Sequence, residues 1–376
     1  MRVAALTTFH EPCGIATYSE ALLAALRAEG VAVDVIAPTL RAGTEPRGEQ
    51  PPRRWRRDRA SFGEGLQVFR DVVRLKADVV HLQLSLGFVS VRFLAALAQA
   101  CRVAGLPVVV TLHDRSGDGL LRNLRLARTL AALRGATLVV HNGSHASEAQ
   151  RHAGSVVRVI PHGIAAPLPR DGAACKRALG VPSERPVIAH FGFIHPDKGI
   201  EAVLHAVAAL RARGQLVHYL VCGGAFPTGV SQAHLRHLRA EATRLGVAEQ
   251  VSLEGIFLDD AQVSERLGAA DLIVLNYQTG HAQTSSGAAR HAFTAGRPIV
   301  VSSAPIFDDL RGSLYTLRAS PGSPAALADE LACLLADDAL RAKLASAVTV
   351  RADADSWPSV ARQHIDLFSE LLGSQV

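Results

Sequence analysis

The sequence predicts an α/β protein made of two doubly wound domains, and three observations lead to this prediction. Short runs rich in valine, leucine and isoleucine alternate with stretches of helical periodicity along the whole chain. Successive runs are separated by roughly ten residues or more, which is the length that parallel strands need for right-handed crossovers. A chain of 376 residues also exceeds what one hydrophobic core usually spans, and the alternating pattern occurs twice.

The first series of elements lies in residues 1–165 and predicts one Rossmann-like domain. Each predicted strand is a short β-rich run, and each predicted helix carries apolar residues at helical spacing. Strands are predicted at residues 3–7, 31–36, 78–82, 107–112, 137–141 and 156–160, with helices near 17–26, before 75, and near 89–104 and 119–133.

The second series lies in residues 166–355 and follows the linker Pro167-Leu168-Pro169. Ligands bind at the carboxyl ends of the strands in such sheets, so we expect a cleft between the domains, lined by the loops that follow the strands. Strands are predicted at residues 187–190, 217–222, 251–253, 272–275, 298–301 and 314–317, with helices near 199–212, 232–245, 260–269, 286–295, 323–336 and 338–350.

The composition favours a folded chain in a reducing compartment. Hydrophobic residues make up 48% of the sequence, which excludes a disordered chain. The beginning of the sequence enters an apolar strand directly, unlike a signal peptide, and no run of 18 apolar residues predicts a membrane span. Five scattered cysteines without C-x-x-C spacing also favour the cytoplasm, where we place the protein; they are Cys13, Cys101, Cys175, Cys222 and Cys333.

The formal charge of +6 is concentrated in the stretch Arg41–Arg59, which holds seven arginines and three prolines and predicts a loop. One interpretation is a solvated loop. The other is a contact site for anionic acceptors or membrane phosphates, with Trp55 as an interfacial anchor. Nucleic acid is the least favoured partner, because no aromatic platform accompanies the charge.

The pattern of segment 271–301 predicts a strand, a polar loop, the start of a helix, a glycine and a second strand, in that order. Its helix start, Thr284-Ser285-Ser286-Gly287, offers free backbone N–H groups and hydroxyls, which suit a phosphate. The alternative is ordinary serine capping, with Gly296 ending the helix. Capping needs a single hydroxyl, so the cluster favours phosphate binding.

Two further strand ends carry candidate residues. Gly192 follows a strand where the backbone must turn, and Lys198-Gly199 opens the next helix, so Lys198 can reach phosphates. The alternative is a solvated lysine beside a capping Asp197. His113 directly follows a strand, a position that favours a functional role over packing. The sequence contains no P-loop, dinucleotide-binding, nucleophile-elbow or H-E-x-x-H motif.

Taken together, these residues resemble the retaining glycosyltransferases of family four, which have the GT-B fold. The ending, with Ser356-Trp357, resembles the last helix of that family, residues 356–376, which crosses back onto the N-terminal domain. The motifs that carry the resemblance are Gly14-Ile15-Ala16, Asp78-Val79-Val80-His81, Val109 to Asp114, Ile160-Pro161-His162-Gly163, Phe191-Gly192 with Lys198-Gly199, and Ser285-Ser286-Gly287 with Ala295-Gly296-Arg297-Pro298.

The resemblance implies a UDP- or GDP-sugar donor held by the C-terminal domain and an acceptor held against the N-terminal domain. It implies retention of the anomeric configuration, and neither a metal nor a cofactor. Two departures from the family pattern stand out. Gln283 and His291 occupy the positions of two common glutamates, and Phe193 replaces a common arginine.

We therefore predict transfer of a hexose, amino and deoxy sugars included, to a hydroxyl of a small molecule or glycan. Lys198 and His113 are the predicted catalytic residues, and Gly14 should let a ligand approach closely. The predicted donor-binding residues are Gly14, Gly192, Phe193, Lys198, Gln283, Thr284, Ser285, Ser286, Gly287 and His291, and Cys13, Gln83 and Asp114 are predicted on the acceptor side.

Two other functions fit the same scaffold. A nucleotide-sugar epimerase or hydrolase would need carboxylates placed for acid–base work, and the strand-end loops offer only Glu11 and Asp114 without an obvious pair. A non-catalytic relative that binds a nucleotide sugar would explain the replaced glutamates and arginine.

Overall fold

The structure is a computed structural model that describes residues 1–11, 13–40, 44–45, 48–57, 59–86, 88–114, 120–153, 155–168, 170–225, 229–278, 285–319 and 323–374. The chain divides into two compact units, each built on one sheet. The first unit comprises Met1–Gly163, Ala282–Gly287 and Asp355–Val376, and the second comprises Ile164–His281 and Ala288–Ala354.

The strands and α-helices of the described residues alternate through most of the chain as the sequence predicts. The strands are β1 Arg2–Leu6, β2 Ala32–Pro38, β3 Arg53–Trp55, β4 Val79–Leu84, β5 Val108–Leu112, β6 Thr137–Val140, β7 Val157–Val159, β8 Val187–Phe191, β9 His218–Gly224, β10 Val251–Gly255, β11 Leu272–Leu275, β12 Ile299–Val301 and β13 Tyr315–Thr316. The helices are α1 Gly14–Ala28, α2 Phe62–Arg74, α3 Val91–Val103, α4 Leu120–Ala132, α5 Gly143–Ala153, α6 Gly172–Ala178, α7 Ile200–Ala212, α8 Gly229–Arg244, α9 Asp260–Gly268, α10 Gly287–Ala292, α11 Pro324–Ala336, α12 Asp338–Ala354 and α13 Trp357–Gly373. Strand β3 and helix α6 are additional elements, and α11, α12 and α13 follow in direct succession.

The sheet of the first unit has seven parallel strands in the order β3-β2-β1-β4-β5-β6-β7. Its central strands β4 and β5 are buried on both faces, including the polar residues His81, Gln83 and Thr111 that interrupt their apolar runs. Helix α13 packs on α1, and Val360 and Phe368 join a core cluster with Leu22 and Leu26. The last helix thus belongs to the first unit, as the resemblance implies.

The sheet of the second unit has six parallel strands in the order β10-β9-β8-β11-β12-β13. Separate apolar clusters cover its two faces, with Ile273 and Phe293 on one side and Ile188 and Val207 on the other. Both units are therefore doubly wound, and the predicted fold class is confirmed.

Helix boundaries follow local chemistry in both units. Ser61 caps α2, where its hydroxyl accepts from the backbone N–H of Glu64 and the Glu64 carboxylate accepts from the Ser61 N–H. Asp259 and Gln262 form the same reciprocal cap on α9. Helix α1 begins at Gly14, three residues before the predicted start, although its capping residue Cys13 makes no side-chain bond to the helix.

The basic stretch differs from its prediction, although part of it lies outside the described residues. Residues 53–55 form a strand that pairs with β2, so this part is not a loop. Trp55 is only 2% exposed, and its indole N–H donates to the carbonyl of Phe88 at 3.0 Å. The alternative interpretation of Trp55 as an interfacial anchor is therefore wrong, because its ring fills the core against Phe93.

Several arginines of this stretch are ion-paired within the first unit. Arg54 binds Asp71 at 2.7 Å, and Arg57 binds the buried Glu11 carboxylate. Contact of the stretch with a membrane stays a prediction.

Candidate functional site

The loop after β8 carries Lys198 and is shaped by two glycines. Gly192 has φ +131°, and a Cβ added there would lie 3.2 Å from Ala288 Cβ, in the first turn of α10. Gly199 has φ +66°, and a Cβ added there would lie 1.8 Å from the carbonyl oxygen of Asn276. Glycine adopts such dihedral angles without steric cost. The backbone of this loop is therefore fixed against α10 and against the segment that follows β11.

Lys198 ends a 3-10 turn, Pro196–Lys198, and its side chain is only 17% exposed. Its Nζ lies 3.5 Å from Asp197 Oδ2 and 4.1 Å from the centroid of the Tyr277 ring. Burial lowers the pKa of Lys198, and the neighbouring Asp197 opposes that shift. The alternative interpretation, a solvated lysine beside a capping Asp197, is wrong because the ammonium is largely buried and Gly199 caps α7.

Asn276 and Tyr277 also belong to this site, although the sequence pattern does not single them out. They directly follow β11, where polar residues after a buried strand could have indicated them. Asn276 is buried, and neither polar atom of its side chain has a hydrogen-bond partner among the described residues.

The predicted phosphate-binding residues are only partly described. Gln283 and Thr284 lie outside the described residues. Ser285 and Ser286 directly precede α10, and Ser286 is buried. Helix α10 itself is short, continues as a 3-10 turn over residues 293–295, and ends at Gly296 with φ +61°. The predicted helix over 286–295 is thus two elements.

His291 and Phe193, the two departures from the family pattern that the structure describes, both contact aromatic rings. The imidazole of His291 stacks on Phe191, with ring centroids 4.9 Å apart. Phe193 is 45% exposed and meets Phe257 edge to face at 5.8 Å. Neither residue supplies the charge that the family has at its position.

A buried ion pair that sequence reasoning missed anchors α10. Arg290 and Asp309, both 2% exposed, bind each other through Nη2 and Oδ2. Asp309 lies in the 3-10 turn Pro305–Leu310 after β12. No spacing rule links the two residues, so the pair could not be found in the sequence.

In the first unit, His113 is held by a chain of side-chain hydrogen bonds. His113 Nε2 lies 2.8 Å from the acceptor Gln83 Oε1, so this nitrogen carries the proton. The Gln83 amide donates to His81 Nε2 at 3.1 Å, and Thr111 Oγ1 lies 2.8 Å from that same nitrogen. Burial lowers the pKa of His113 to about 4, so its imidazole is neutral near pH 7.

The ring of Tyr18 packs among four other rings of the first unit. Its centroid lies 5.0 Å from His113, 4.9 Å from His162 and 5.3 Å from Trp357. The fourth ring is His141, at 5.4 Å. Burial raises the pKa of Tyr18, so its hydroxyl stays protonated. Tyr18 lies on the buried face of α1, where a tyrosine is typical of the hydrophobic core, so the sequence did not indicate it as a site residue.

The residues predicted on the acceptor side have different surroundings. Gln83 is 3% exposed and supports His113, as described above. Asp114 accepts from the N–H of Leu86 at 2.8 Å and from Arg122 Nη2 at 2.7 Å. Cys13 is partly exposed, and a Cβ added at Gly14 would meet no atom within 4 Å. The fold itself does not require glycine at position 14, and its role in ligand approach stays a prediction.

Among the described residues, Glu201 and His205 of α7 and Glu241 of α8 form a group that could hold a metal ion, with ligand atoms within 4.8 Å of one another. Contacts with neighbouring side chains already engage this group. His205 Nε2 lies 2.9 Å from Glu241, His237 Nε2 lies 2.9 Å from Glu201, and Arg244 binds Glu241. The two histidine contacts link α7 to α8.

Family models match nearly the whole chain. Residues 12–166 match Glycosyltransferase Family 4, and residues 173–350 match Glycosyl transferases group 1. The chain belongs to the GT-B glycosyltransferases. Among the described residues of this glycosyltransferase, none of the helices is both long enough and apolar enough to span a membrane.

Curated relatives of this glycosyltransferase include D-inositol 3-phosphate glycosyltransferases. The protein of Corynebacterium glutamicum is 29% identical over 212 residues, which cover 53% of this chain and 47% of the relative. That of Corynebacterium efficiens is 32% identical over 203 residues, which cover 52% and 45%. The chain spans about half the length of the curated relatives it matches.

Solved structures of similar fold cover the whole chain. The crystal structure of Anabaena HepE in complex with UDP has a TM-score of 0.74 at 19% identity and covers 98% of this chain and 100% of its own. Sucrose-phosphate synthase from Thermosynechococcus elongatus has the same TM-score and identity and covers 100% of both chains. At this identity the likeness establishes the fold alone.

Proposed function

We propose that this protein is a retaining hexosyltransferase that moves a sugar, amino and deoxy hexoses included, from a nucleotide-diphosphate donor to a hydroxyl of a small molecule or glycan. Membership of the glycosyltransferases supports group transfer. The observation that carries the donor assignment is Lys198, a largely buried ammonium in a loop packed against α10.

Lys198 supplies what the departure of a diphosphate needs. Negative charge grows on the diphosphate as the bond to the sugar breaks, and a fixed ammonium in a poorly solvated place stabilises it more than a mobile, solvated one. In the proposed reaction the backbone N–H groups of Ser285, Ser286 and Gly287 share this task, so that neither a bound metal nor a cofactor is used. The acceptor hydroxyl attacks from the face that the diphosphate leaves, which retains the configuration.

His113 is proposed to contact the transferred sugar or the reacting centre as a neutral imidazole. Its Nε2–H is committed to Gln83, which fixes the tautomer of the ring. A neutral imidazole adds no charge near the departing anion.

The names of relatives narrow the proposed substrates. HepE was crystallised with UDP, which favours a uridine donor over a guanosine donor. The inositol phosphate and sucrose phosphate named for other relatives favour a hydroxyl on a phosphorylated polyol or sugar as the acceptor. Thermal melting with a panel of nucleotides and nucleotide sugars tests the donor, since a ligand that binds only the folded state raises the melting temperature. If no nucleotide raises it, the donor assignment is wrong.

Replacing Lys198 tests the phosphate role. Lys198→Ala should lower kcat/KM about 100-fold or more, because a lost transition-state contact of this kind costs roughly 3 kcal/mol. The matched control is Lys343→Ala, which removes an exposed lysine from α12 and should leave turnover unchanged. Steady-state kinetics measure the turnover of both variants, and their melting temperatures show whether each is folded. Near-normal turnover of a well-folded Lys198→Ala protein would refute the phosphate assignment.

Of the alternative functions, a non-catalytic nucleotide-sugar-binding protein is favoured by one observation. His291 stacks on Phe191 at the position where the family has a glutamate, so that carboxylate is missing. Nucleotide binding without turnover of any donor would establish this alternative. The epimerase or hydrolase lacks such support, because Arg57 binds Glu11 and Arg122 binds Asp114.

We further propose a bacterial, cytoplasmic protein. The source organisms of the relatives support the first part. The five cysteines support the second, since all are free thiols.

A further inference from the structure

The ring of Tyr277 lies at the meeting point of three parts of the second unit. It is 1% exposed, and its centroid lies 4.9 Å from that of Phe307. Its hydroxyl oxygen lies 3.6 Å from the place where a Cβ at Gly192 would be. Its carbonyl oxygen accepts from Ser302 Oγ at 2.6 Å. Both the ring and the backbone of this residue are thus held in place.

The segment that carries Tyr277 is also locked to the turn that carries Lys198. The N–H of Gln278 donates to the carbonyl of Asp197 at 2.9 Å. On the other side, Gly199 approaches Asn276 so closely that no side chain fits between them. The ring face and the ammonium therefore meet at 4.1 Å through two fixed backbones.

We infer that Tyr277 is a positioning residue whose ring face holds the Lys198 ammonium in place for an anionic diphosphate. The inference rests on the proposed function. The face of an aromatic ring attracts a cation, and the attraction is larger where water is excluded. The ring attracts the ammonium without bringing a negative charge, unlike the Asp197 carboxylate 3.5 Å away. The contact with the ring therefore does not compete with a phosphate for the charge of Lys198.

The aromatic face, and not the hydroxyl, should matter for this role. Tyr277→Phe keeps the ring and should leave the donor KM within about twofold of the wild type. Tyr277→Leu keeps an apolar side chain but removes the face, and it should lower kcat/KM roughly tenfold, as expected for a desolvated cation–π contact. Phe307→Leu is the matched control, because it removes a ring that packs on Tyr277 and is not placed at Lys198.

A double-mutant cycle separates positioning from general damage to the core. If Tyr277 acts through Lys198, Tyr277→Leu should have almost no further effect on kcat/KM in a Lys198→Ala background. Equal losses in both backgrounds, or an equal loss with Phe307→Leu, would overturn the inference.

A measurement without donor or acceptor distinguishes this inference from the proposed function. The chain has only four lysines, Lys76, Lys176, Lys198 and Lys343, so the Lys198 amine can be titrated by NMR of isotope-labelled lysine. Removing the ring face removes a contact that favours the charged form, so Tyr277→Leu should lower the pKa of Lys198 further, and Tyr277→Phe should not. If these pKa changes are observed but Lys198→Ala keeps full turnover, the positioning of Lys198 by Tyr277 is supported and the binding of phosphate by Lys198 is refuted. An unchanged pKa in Tyr277→Leu would overturn the inference.

Discussion

Lys198 in the second unit and His113 in the first both lie just beyond the carboxyl end of a parallel strand, yet they are held in different ways. Lys198 is placed by backbone: two glycines with positive φ and one inter-loop hydrogen bond fix its turn. His113 is placed by side chains, through Gln83, His81 and Thr111. The position of Lys198 depends on the absence of a Cβ at Gly192 and Gly199, and the position of His113 depends on an unbroken series of hydrogen bonds.

The surroundings of Lys198 and His113 also have opposite effects on the charge of the two side chains. At Lys198, the carboxylate of Asp197 and the ring of Tyr277 both favour the charged amine despite its burial. At His113, burial holds the pKa at about 4 although the neighbouring Asp114 carboxylate opposes the shift, and the imidazole stays uncharged. The second unit therefore presents a cation, while the first presents a neutral imidazole. This difference is what the proposed transfer requires of a donor-phosphate site and a sugar-contacting residue.

The largest expected effect comes from breaking the backbone support of Lys198. Gly199→Ala places a Cβ at φ +66° and 1.8 Å from the Asn276 carbonyl oxygen, so the turn must move. We expect the free energy of unfolding of the second unit to fall by about 3 kcal/mol, from steric overlap and dihedral strain together. Urea unfolding followed by hydrogen exchange of amides in the second unit measures the change.

Gly296→Ala is the matched control for this substitution. Gly296 has φ +61°, close to that of Gly199, but an added Cβ would meet no atom within 4 Å. It should cost only about 1 kcal/mol, the dihedral part alone. Equal losses in the two variants would show that the close approach to Asn276 does not restrict the turn.

The next prediction concerns the hydrogen-bonded side chains around His113. Their contribution to the free energy of unfolding should depend on pH. The pKa of His113 is about 4 in the folded protein and about 6.5 when unfolded. The unfolded state therefore binds more protons between these values, and the stability contributed above pH 6.5 is lost as the pH falls to 4. At pH 5 the loss should be about 2 kcal/mol. Buried His81 and His364, whose pKa values are also lowered, should add to the loss.

Gln83→Glu should weaken this pH dependence. A carboxylate facing His113 favours the imidazolium and raises its pKa, so the loss of stability between pH 7 and pH 5 should shrink by about 1 kcal/mol or more. Both tryptophans, Trp55 and Trp357, lie in the first unit, so their fluorescence during urea unfolding reports on it. Gln99→Glu makes the same change on the exposed surface of α3 and should leave the pH dependence unaltered. An unchanged dependence in Gln83→Glu would show that Gln83 does not control the charge of His113.

The contrast between the two regions also explains what the sequence could predict. The fold class followed from apolar runs and crossover lengths, and the doubly wound sheets confirm it. Lys198 could be found because Gly192 and Gly199 mark its loop, and glycine reports a backbone requirement directly. The position of Asn276 and Tyr277 directly after β11 could have marked them as site residues, but their contacts with the Lys198 turn could not be predicted, since they arise where one loop packs on another and no spacing rule encodes them.

Contacts between side chains could not be predicted from the sequence either. Gln83 was predicted on the acceptor side, but its link to His113 depends on the register of β4 and β5, which pairs Gln83 with Thr111. The interpretation of Trp55 as an interfacial anchor arose because a tryptophan among arginines is typical of a membrane interface. The neighbouring strand β2 and the ring of Phe93 bury it instead.

The smallest expected effect sharpens the comparison by adding charge to the region of Lys198. Phe193 is 45% exposed and stands where the family commonly has an arginine. Phe193→Arg should lower the donor KM only about two- to fivefold, because an exposed charge gains roughly 0.5–1 kcal/mol from an anion. The gain should shrink at high salt, since exposed charges are screened. Phe193→Leu removes the contact with Phe257 without adding charge, and it should leave the salt dependence unaltered. If Phe193→Arg changes neither KM nor its salt dependence, position 193 lies away from the bound anion, and Lys198 carries the electrostatic role without an arginine partner there.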